Sequence, residues 1–359
     1  MKRNYGIDLL RILSMLMVTV LHVLAQGGVL YAAKAGTALY WTLWFFEMTC
    51  YCAVNCFALI SGYGMSQAQP KLSRLCKLWL QTFFYIVLCV VAFLCFKPEV
   101  VGKQVILQSL LPITSGRYWY ISVYFGVLIL SPLLNLIIRH ADKKLLGATL
   151  LASFVLFCVL PTATLQNPFK IDNGYSLIWV CLLYLAGGYA KKYDVLNKVT
   201  TYHAWALVLN SLAVTFLCKF VIESYFPNVA FLQDYRNILI AFPSPTIVLV
   251  SVGLLILCSK VPFGPVSTAA VKLVSPAVLG VYLTHTNPLV WKHLLKGSTI
   301  ALASYPYLAA ICLVLALSFA IFAVGILIDL LRIQLFKRLP IDNLCARLDD
   351  KLTNRNKKA

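Results

Sequence analysis

His22 lies in the first apolar run of this 359-residue chain, eleven positions after Arg11. At a rise of ~1.5 Å per residue the two stand ~16 Å apart along a helix axis. About three turns separate them, so both point the same way. Asp8, one turn before Arg11, is placed to pair with it. Ionisable groups are costly inside hydrocarbon and generally face a partner or a cavity. A neutral imidazole suits proton removal near pH 7, and an arginine suits an anion such as phosphate. The plainer reading is that Arg11 snorkels to the headgroups and His22 bonds a neighbouring helix.

Two further apolar runs carry polar residues of the same kind. Glu47, Asn55 and Ser61 precede Gly62-Tyr63, and a buried Glu47 needs a proton or a cation such as Arg11 or His22. The run Gly280-Val-Tyr282-Leu-Thr284-His285-Thr286-Asn287-Pro288 sets Tyr282 and His285 three apart on one helix face. The segment Arg117-Tyr-Trp119-Tyr120 reads first as a membrane-interface aromatic belt and second as the lining of a cleft. His140, His203 and His293 sit beside loop charges and read as interfacial.

The elements that must position these groups follow from composition. Hydrophobic residues make up 61% of the chain and charged ones 12%, too apolar for a soluble protein of ordinary makeup. The expected fold is all-α, a polytopic transmembrane helical bundle. Runs able to cross ~30 Å of hydrocarbon fall near 7–27, 38–63, 77–96, 118–138, 145–161, 174–190, 203–222, 238–258, 274–294 and 305–331, about ten spans. Pro243 and Pro245 predict a kink in the eighth. Met1-Lys2-Arg3 imitates a signal peptide, but Asp8 and Arg11 interrupt the run, so the first helix is expected to remain uncleaved.

A net charge of +19 would point a soluble protein towards nucleic acid. Here the basic residues cluster in short segments between apolar runs. With the N-terminus inside, inner segments hold 21 Lys and Arg and outer segments eight, which predicts both termini in the cytoplasm. The expected division is a membrane domain over 1–332 and a basic tail over 333–359. Leu344, Leu348 and Leu352 among Arg347, Lys351 and Arg355 predict an interfacial amphipathic helix or a solvated end. The twelve cysteines lie mainly in apolar runs, and Cys50-x-Cys52 is too tight for zinc, so no metal site is expected.

Taken together, Gly6-Ile-Asp8-Leu-Leu-Arg11 with His22 after ten residues, Phe57-Ala-Leu-Ile-Ser61-Gly62-Tyr63, Trp119-Tyr120 and Gly280-Val-Tyr282-Leu-Thr-His285 resemble the membrane-bound acyltransferase-3 family. That resemblance implies a roughly ten-helix, multi-pass protein of the bacterial cytoplasmic membrane. It would move an acyl group, most simply acetyl, from cytoplasmic acetyl-CoA or another acyl-CoA to a hydroxyl of a cell-surface or lipid-linked glycan. Acyl-CoA is then a co-substrate and no cofactor is held permanently. Expected partners are the lipid bilayer, the glycan and polysaccharide-assembly proteins, with no nucleic acid. The family's essential arginine and histidine map to Arg11 and His22. Its arginine-x-x-arginine appears as Arg74-x-x-Lys77, where lysine keeps the charge and loses the planar fork.

On this reading the catalytic set is His22, Arg11 and Glu47, and Arg11, Arg74 and Lys77 hold the CoA. Ser61, Tyr63, Trp119, Tyr282 and His285 form the substrate or oxyanion set. His22 would take the acceptor hydroxyl's proton and return one to the leaving thiolate; transient acylation of His22 is the alternative. A transporter of a small metabolite, built on the same fold, is the main rival. A non-catalytic scaffold for polysaccharide assembly is the second.

Overall fold

The computed structural model describes residues 3–69, 71–341, 343–347 and 349. Every regular element among them is helical. Eight stretches are long and apolar enough to cross a membrane: Tyr5–Gln26, Ala38–Met65, Leu72–Phe96, Trp119–His140, Lys143–Thr164, Thr201–Tyr225, Pro265–His285 and Tyr307–Arg338. Leu177–Lys192 and Pro245–Ser259 are shorter, at 16 and 15 residues. The expected count of about ten is reached only when these two are included.

The helix Tyr5–Leu21, α1, sits at the centre and packs on Ala53–Met65, Pro245–Ser259, Val278–His285 and Tyr307–Arg338. Asn4 starts it by accepting from the Gly6 amide at 2.9 Å and anchors it by donating to Ser259 O at 2.9 Å. That cap satisfies a helix-end donor and ties two helices together. Leu177–Lys192 packs against Ala53–Met65 and Trp119–His140. A Cβ on Gly62 would stand 1.9 Å from Tyr184 O, so only glycine permits this helix crossing. In contrast, Lys143–Thr164 leaves Leu145, Leu151 and Val155 exposed, as expected of a face turned to lipid.

The chain alternates between two ends. One gathers Asn4, Ser259 and the bonds of Lys192 Nζ to Ile138 O (2.8 Å), Arg139 O (3.0 Å) and Ala141 O (2.7 Å). That ammonium satisfies the last carbonyls of Trp119–His140, where the helix dipole favours a cation. Lys260 Nζ likewise donates to Val199 O. The opposite end holds the π-helical turn His22–Gln26 and residues 226–244 and 286–306. We call the two the basic end and the histidine end.

Two expectations about elements change. Pro245 occupies the first turn of Pro245–Ser259 with Pro243 outside it, so the prolines start this helix instead of kinking it. Pro132 lies inside the helix Trp119–His140. The expected ninth span, 274–294, is not one helix. It runs as Pro265–Val274, a 3-10 turn at Ser275–Ala277, Val278–His285, a break at Asn287-Pro288 and a π turn at Trp291–Leu295. Pro276 and Pro288 lack the amide that would carry a helix onward.

The described part of the tail folds back on the start of Leu72–Phe96. The amide and hydroxyl of Ser73 donate to the Asp349 carboxylate at 2.9 and 2.6 Å. Cys345 is fully buried with its Sγ 3.0 Å from that of Cys76, while Leu344 is exposed. Leu348, Lys351, Leu352 and Arg355, which carry the rest of the expected stripe, lie outside the described residues.

Candidate active site

At the C-terminal end of α1 the helix widens into the π turn His22–Gln26. Its cause is tertiary. Thr299 Oγ1 donates to Val23 O at 3.0 Å, while the Gly297 and Thr299 amides donate to Gln26 O and Gly27 O at 3.0 and 2.9 Å. A Cβ on Gly27 would meet Val23 O at 2.2 Å and Thr299 Oγ1 at 2.3 Å, so the turn requires glycine there. Residues 297–299 thus hold the turn that begins with His22.

His22 Nδ1 lies 2.8 Å from His285 Nε2, and His285 Nδ1 lies 2.5 Å from Val281 O. A carbonyl oxygen only accepts, so His285 Nδ1 carries the proton. For two neutral rings His285 Nε2 then offers a lone pair and accepts from His22 Nδ1–H. The outcome is a defined tautomer, with His22 Nε2 left as an unprotonated nitrogen. Trp291 packs edge-on against His22, 4.7 Å between ring centres. His285 is buried and His22 half-buried.

His285 is itself held by an ordered helix end. Tyr118 hydroxyl donates to Leu283 O at 2.9 Å, and Asn287 Nδ2 donates to that hydroxyl at 2.9 Å. Asn287 Oδ1 also accepts from the Leu289 amide, starting the next turn after Pro288. Neither Tyr118 nor Trp291 was singled out from the sequence. Asn287-Pro288 was visible there as a break, but which residues lock it depends on the fold.

Towards the basic end, Arg11 Nη1 meets Asp8 Oδ1 at 2.7 Å and Ser275 Oγ at 3.0 Å. Asp8 Oδ2 accepts from Arg3 Nε at 2.6 Å, so one carboxylate bridges two guanidiniums. Beside His285 the packing is aromatic. Tyr120 lies 6.2 Å from Tyr282 and 6.0 Å from Tyr124, and Tyr282 lies 6.4 Å from His285, ring centre to ring centre. Arg74 and Lys77 occupy the first turns of Leu72–Phe96, one turn apart, with Arg74 half-buried and Lys77 exposed.

The other expected site residues divide. Ser61 Oγ donates to Phe57 O of its own helix at 2.8 Å, and Tyr63 carries Lys191 Nζ over its ring at 4.6 Å. Both therefore belong to the basic end and do not join His22. Trp119 packs on Tyr175 at 4.5 Å. Glu47 is buried, yet its Oε2 has no hydrogen-bond partner, and neither Arg11 nor His22 pairs with it. Of the proton or cation expected for it, no cation pairs with it among the described residues. His140 and His203 are exposed, and His293 packs 6.1 Å from Phe93.

Among the described residues no group of three His, Cys, Asp or Glu side chains converges to hold a metal ion. An apolar groove of about 870 Å³ runs behind this region, lined by Phe84, Phe93, Thr284, Leu294, Leu331 and neighbours. None of the expected site residues lines it.

A family model described as an acyltransferase domain, of the acyltransferase-3 type, matches residues 4–329. No curated protein and no solved structure matches the chain significantly.

Proposed function

Because this chain belongs to the acyltransferase-3 family and is a membrane acyltransferase, we propose that it transfers acetyl from cytoplasmic acetyl-CoA to a hydroxyl of a cell-surface or lipid-linked glycan. The observation that carries this reading is the chain of bonds from His22 to His285 to Val281 O. It leaves a lone pair on His22 Nε2, as a general base requires. His22 removes the acceptor's hydroxyl proton as its oxygen attacks the thioester carbonyl. The C–S bond then breaks, and the proton passes from His22 to the departing thiolate. His285 acts by fixing the tautomer and stabilising charge on the ring.

This division of labour revises the oxyanion set. Both ring nitrogens of His285 and the hydroxyl of Ser61 are committed elsewhere. Tyr282 is the expected donor that stays beside the pair. Arg74 and Lys77, at the cytoplasmic mouth with both termini inside, receive the CoA phosphates through charge-assisted bonds. Arg11, anchored by Asp8 and Ser275, stands between that mouth and His22 and guides the pantetheine arm along the Tyr120–Tyr282 wall.

Comparing surface glycans by mass spectrometry, from cells with and without the protein, tests the reaction. An added acetyl unit that depends on the protein supports it. Counterflow of a small metabolite in liposomes, with no acetyl-CoA consumed, would replace it with transport.

A further inference from the structure

Glu47 Oε2 is one of very few buried side-chain oxygens that find no partner among the described residues. Its side chain is 5% exposed, so bulk water does not serve it. An unpaired carboxyl in such a place is expensive, and the groups around it show what would pair it. Three tyrosines from separate segments gather near it: Tyr51 follows one turn later with its amide donating to Glu47 O at 3.0 Å, Tyr31 packs 6.3 Å from Trp44 one turn earlier, and Tyr175 shares Phe242 with Tyr51. Tyr31 follows the His22 turn on the short helix Val29–Ala32, Tyr51 ends Ala38–Cys50, and Tyr175 precedes Leu177–Lys192. Tyr31 is 69% and Tyr175 41% exposed, so the cluster leads from the carboxyl to the surface.

Aromatic faces continue the wall. Phe242 lies 5.0 Å from both Tyr51 and Tyr175, and Trp119 lies 4.5 Å from Tyr175. Asn55 fixes this wall by donating to Phe242 O at 2.7 Å and accepting from Trp179 Nε1 at 3.1 Å. All these groups belong to the histidine end. A carboxyl oxygen wanting a donor, phenols able to donate or accept, and flat apolar faces match one chemical class: a ring bearing several hydroxyls and an apolar C–H face.

We propose that Glu47, Tyr51, Tyr175 and Trp119 form the binding subsite for a pyranose ring of the acceptor, with Glu47 Oε2 accepting from a ring hydroxyl. The proposal rests on the acyl-transfer reading for the identity of its occupant. Glu47 is then a binding residue, not the catalytic partner of His22 expected from sequence. The same site explains why Trp119 and Glu47, distant in sequence, both lie at the histidine end.

Binding without turnover tests it. Full-length protein in lipid nanodiscs is mixed with methyl glycosides of glucose, galactose and N-acetylglucosamine, and saturation transfer from protein to sugar is recorded by NMR. At least one glycoside should receive saturation from the wild type. Glu47→Gln, which keeps the shape, should weaken that binding at least ten-fold. Tyr175→Phe should weaken it less than Tyr175→Leu, and this pair decides the matter should Glu47→Gln fail to fold. No transfer to any glycoside, or equal binding by wild type and folded variants, overturns the subsite. His22→Ala should leave sugar binding intact while abolishing acyl transfer, so failure of the subsite and failure of the base assignment are told apart.

Discussion

Replacing His285 by alanine removes the acceptor that holds the His22 proton on Nδ1, at 2.8 Å, without touching the nitrogen assigned to chemistry. Left as it is, His22 Nδ1–H becomes an unpaired donor in a half-buried place, at a cost of ~1–3 kcal/mol. The ring escapes that cost by moving its proton to Nε2, which destroys the base. Either way the competent tautomer loses about that free energy, and at ~1.36 kcal/mol per decade the rate falls about 5- to 150-fold. His285→Gln should recover part of the loss, because its amide oxygen can accept from Nδ1–H. The assay is acetyl-CoA-dependent thiol release coupled to product formation by purified protein in proteoliposomes. A folded His285→Ala enzyme at the wild-type rate would refute the relay, as would a Gln variant no faster than Ala.

Three further expectations follow from other parts of the structure. Arg74→Ala should raise the KM for acyl-CoA about ten-fold or more with little change in kcat, since a hydrogen bond to a charged group is worth ~1.5–3 kcal/mol; initial rates at several CoA concentrations check it. Asp329, fully buried, takes bonds from Arg332 at 2.8 and 2.9 Å, Tyr85 at 2.8 Å and Gln81 at 3.1 Å. Asp329→Ala strands the guanidinium and should cost ~3–5 kcal/mol, read as a lower Tm in detergent. Burial pushes the Asp349 carboxyl up, but bonds from Ser73 and the charge of Lys71 outweigh it and hold the group below its ordinary value. Tail docking should therefore persist down to about pH 4 and be lost as pH falls further, through the lowered value. Hydrogen exchange of residues 343–347, corrected for intrinsic rates, should show this, and Ser73→Ala should release the tail at higher pH.

The helical frame was legible because lipid leaves a coarse signature: long apolar runs separated by basic clusters. The pairing of Asp8 with Arg11 followed from helix periodicity alone. The relay was harder. His285 stood out as an ionisable group in an apolar run, but its role depends on a 2.8 Å contact between residues 263 positions apart. The π turn depends equally on Thr299, which no local pattern ties to Val23. Glu47 was conspicuous as a carboxyl in an apolar run, yet helix spacing says nothing about which neighbour turns towards it. Ser61 and Tyr63 were drawn in by motif, and simple axial bookkeeping along their helix puts them at the basic end. Prolines misled: Pro245 opens a helix where a kink was expected, and Pro276 and Pro288 break the ninth stretch, where one span was expected.

In the proposed mechanism His22 supplies the proton-accepting nitrogen. That role is tested most directly by the acetyl transfer rate of His22→Ala in proteoliposomes, beside wild type and with acetyl-CoA binding measured on the same samples. A fall of at least ~100-fold is expected, with acetyl-CoA affinity unchanged. Transfer at the wild-type rate by a folded His22→Ala protein would contradict it.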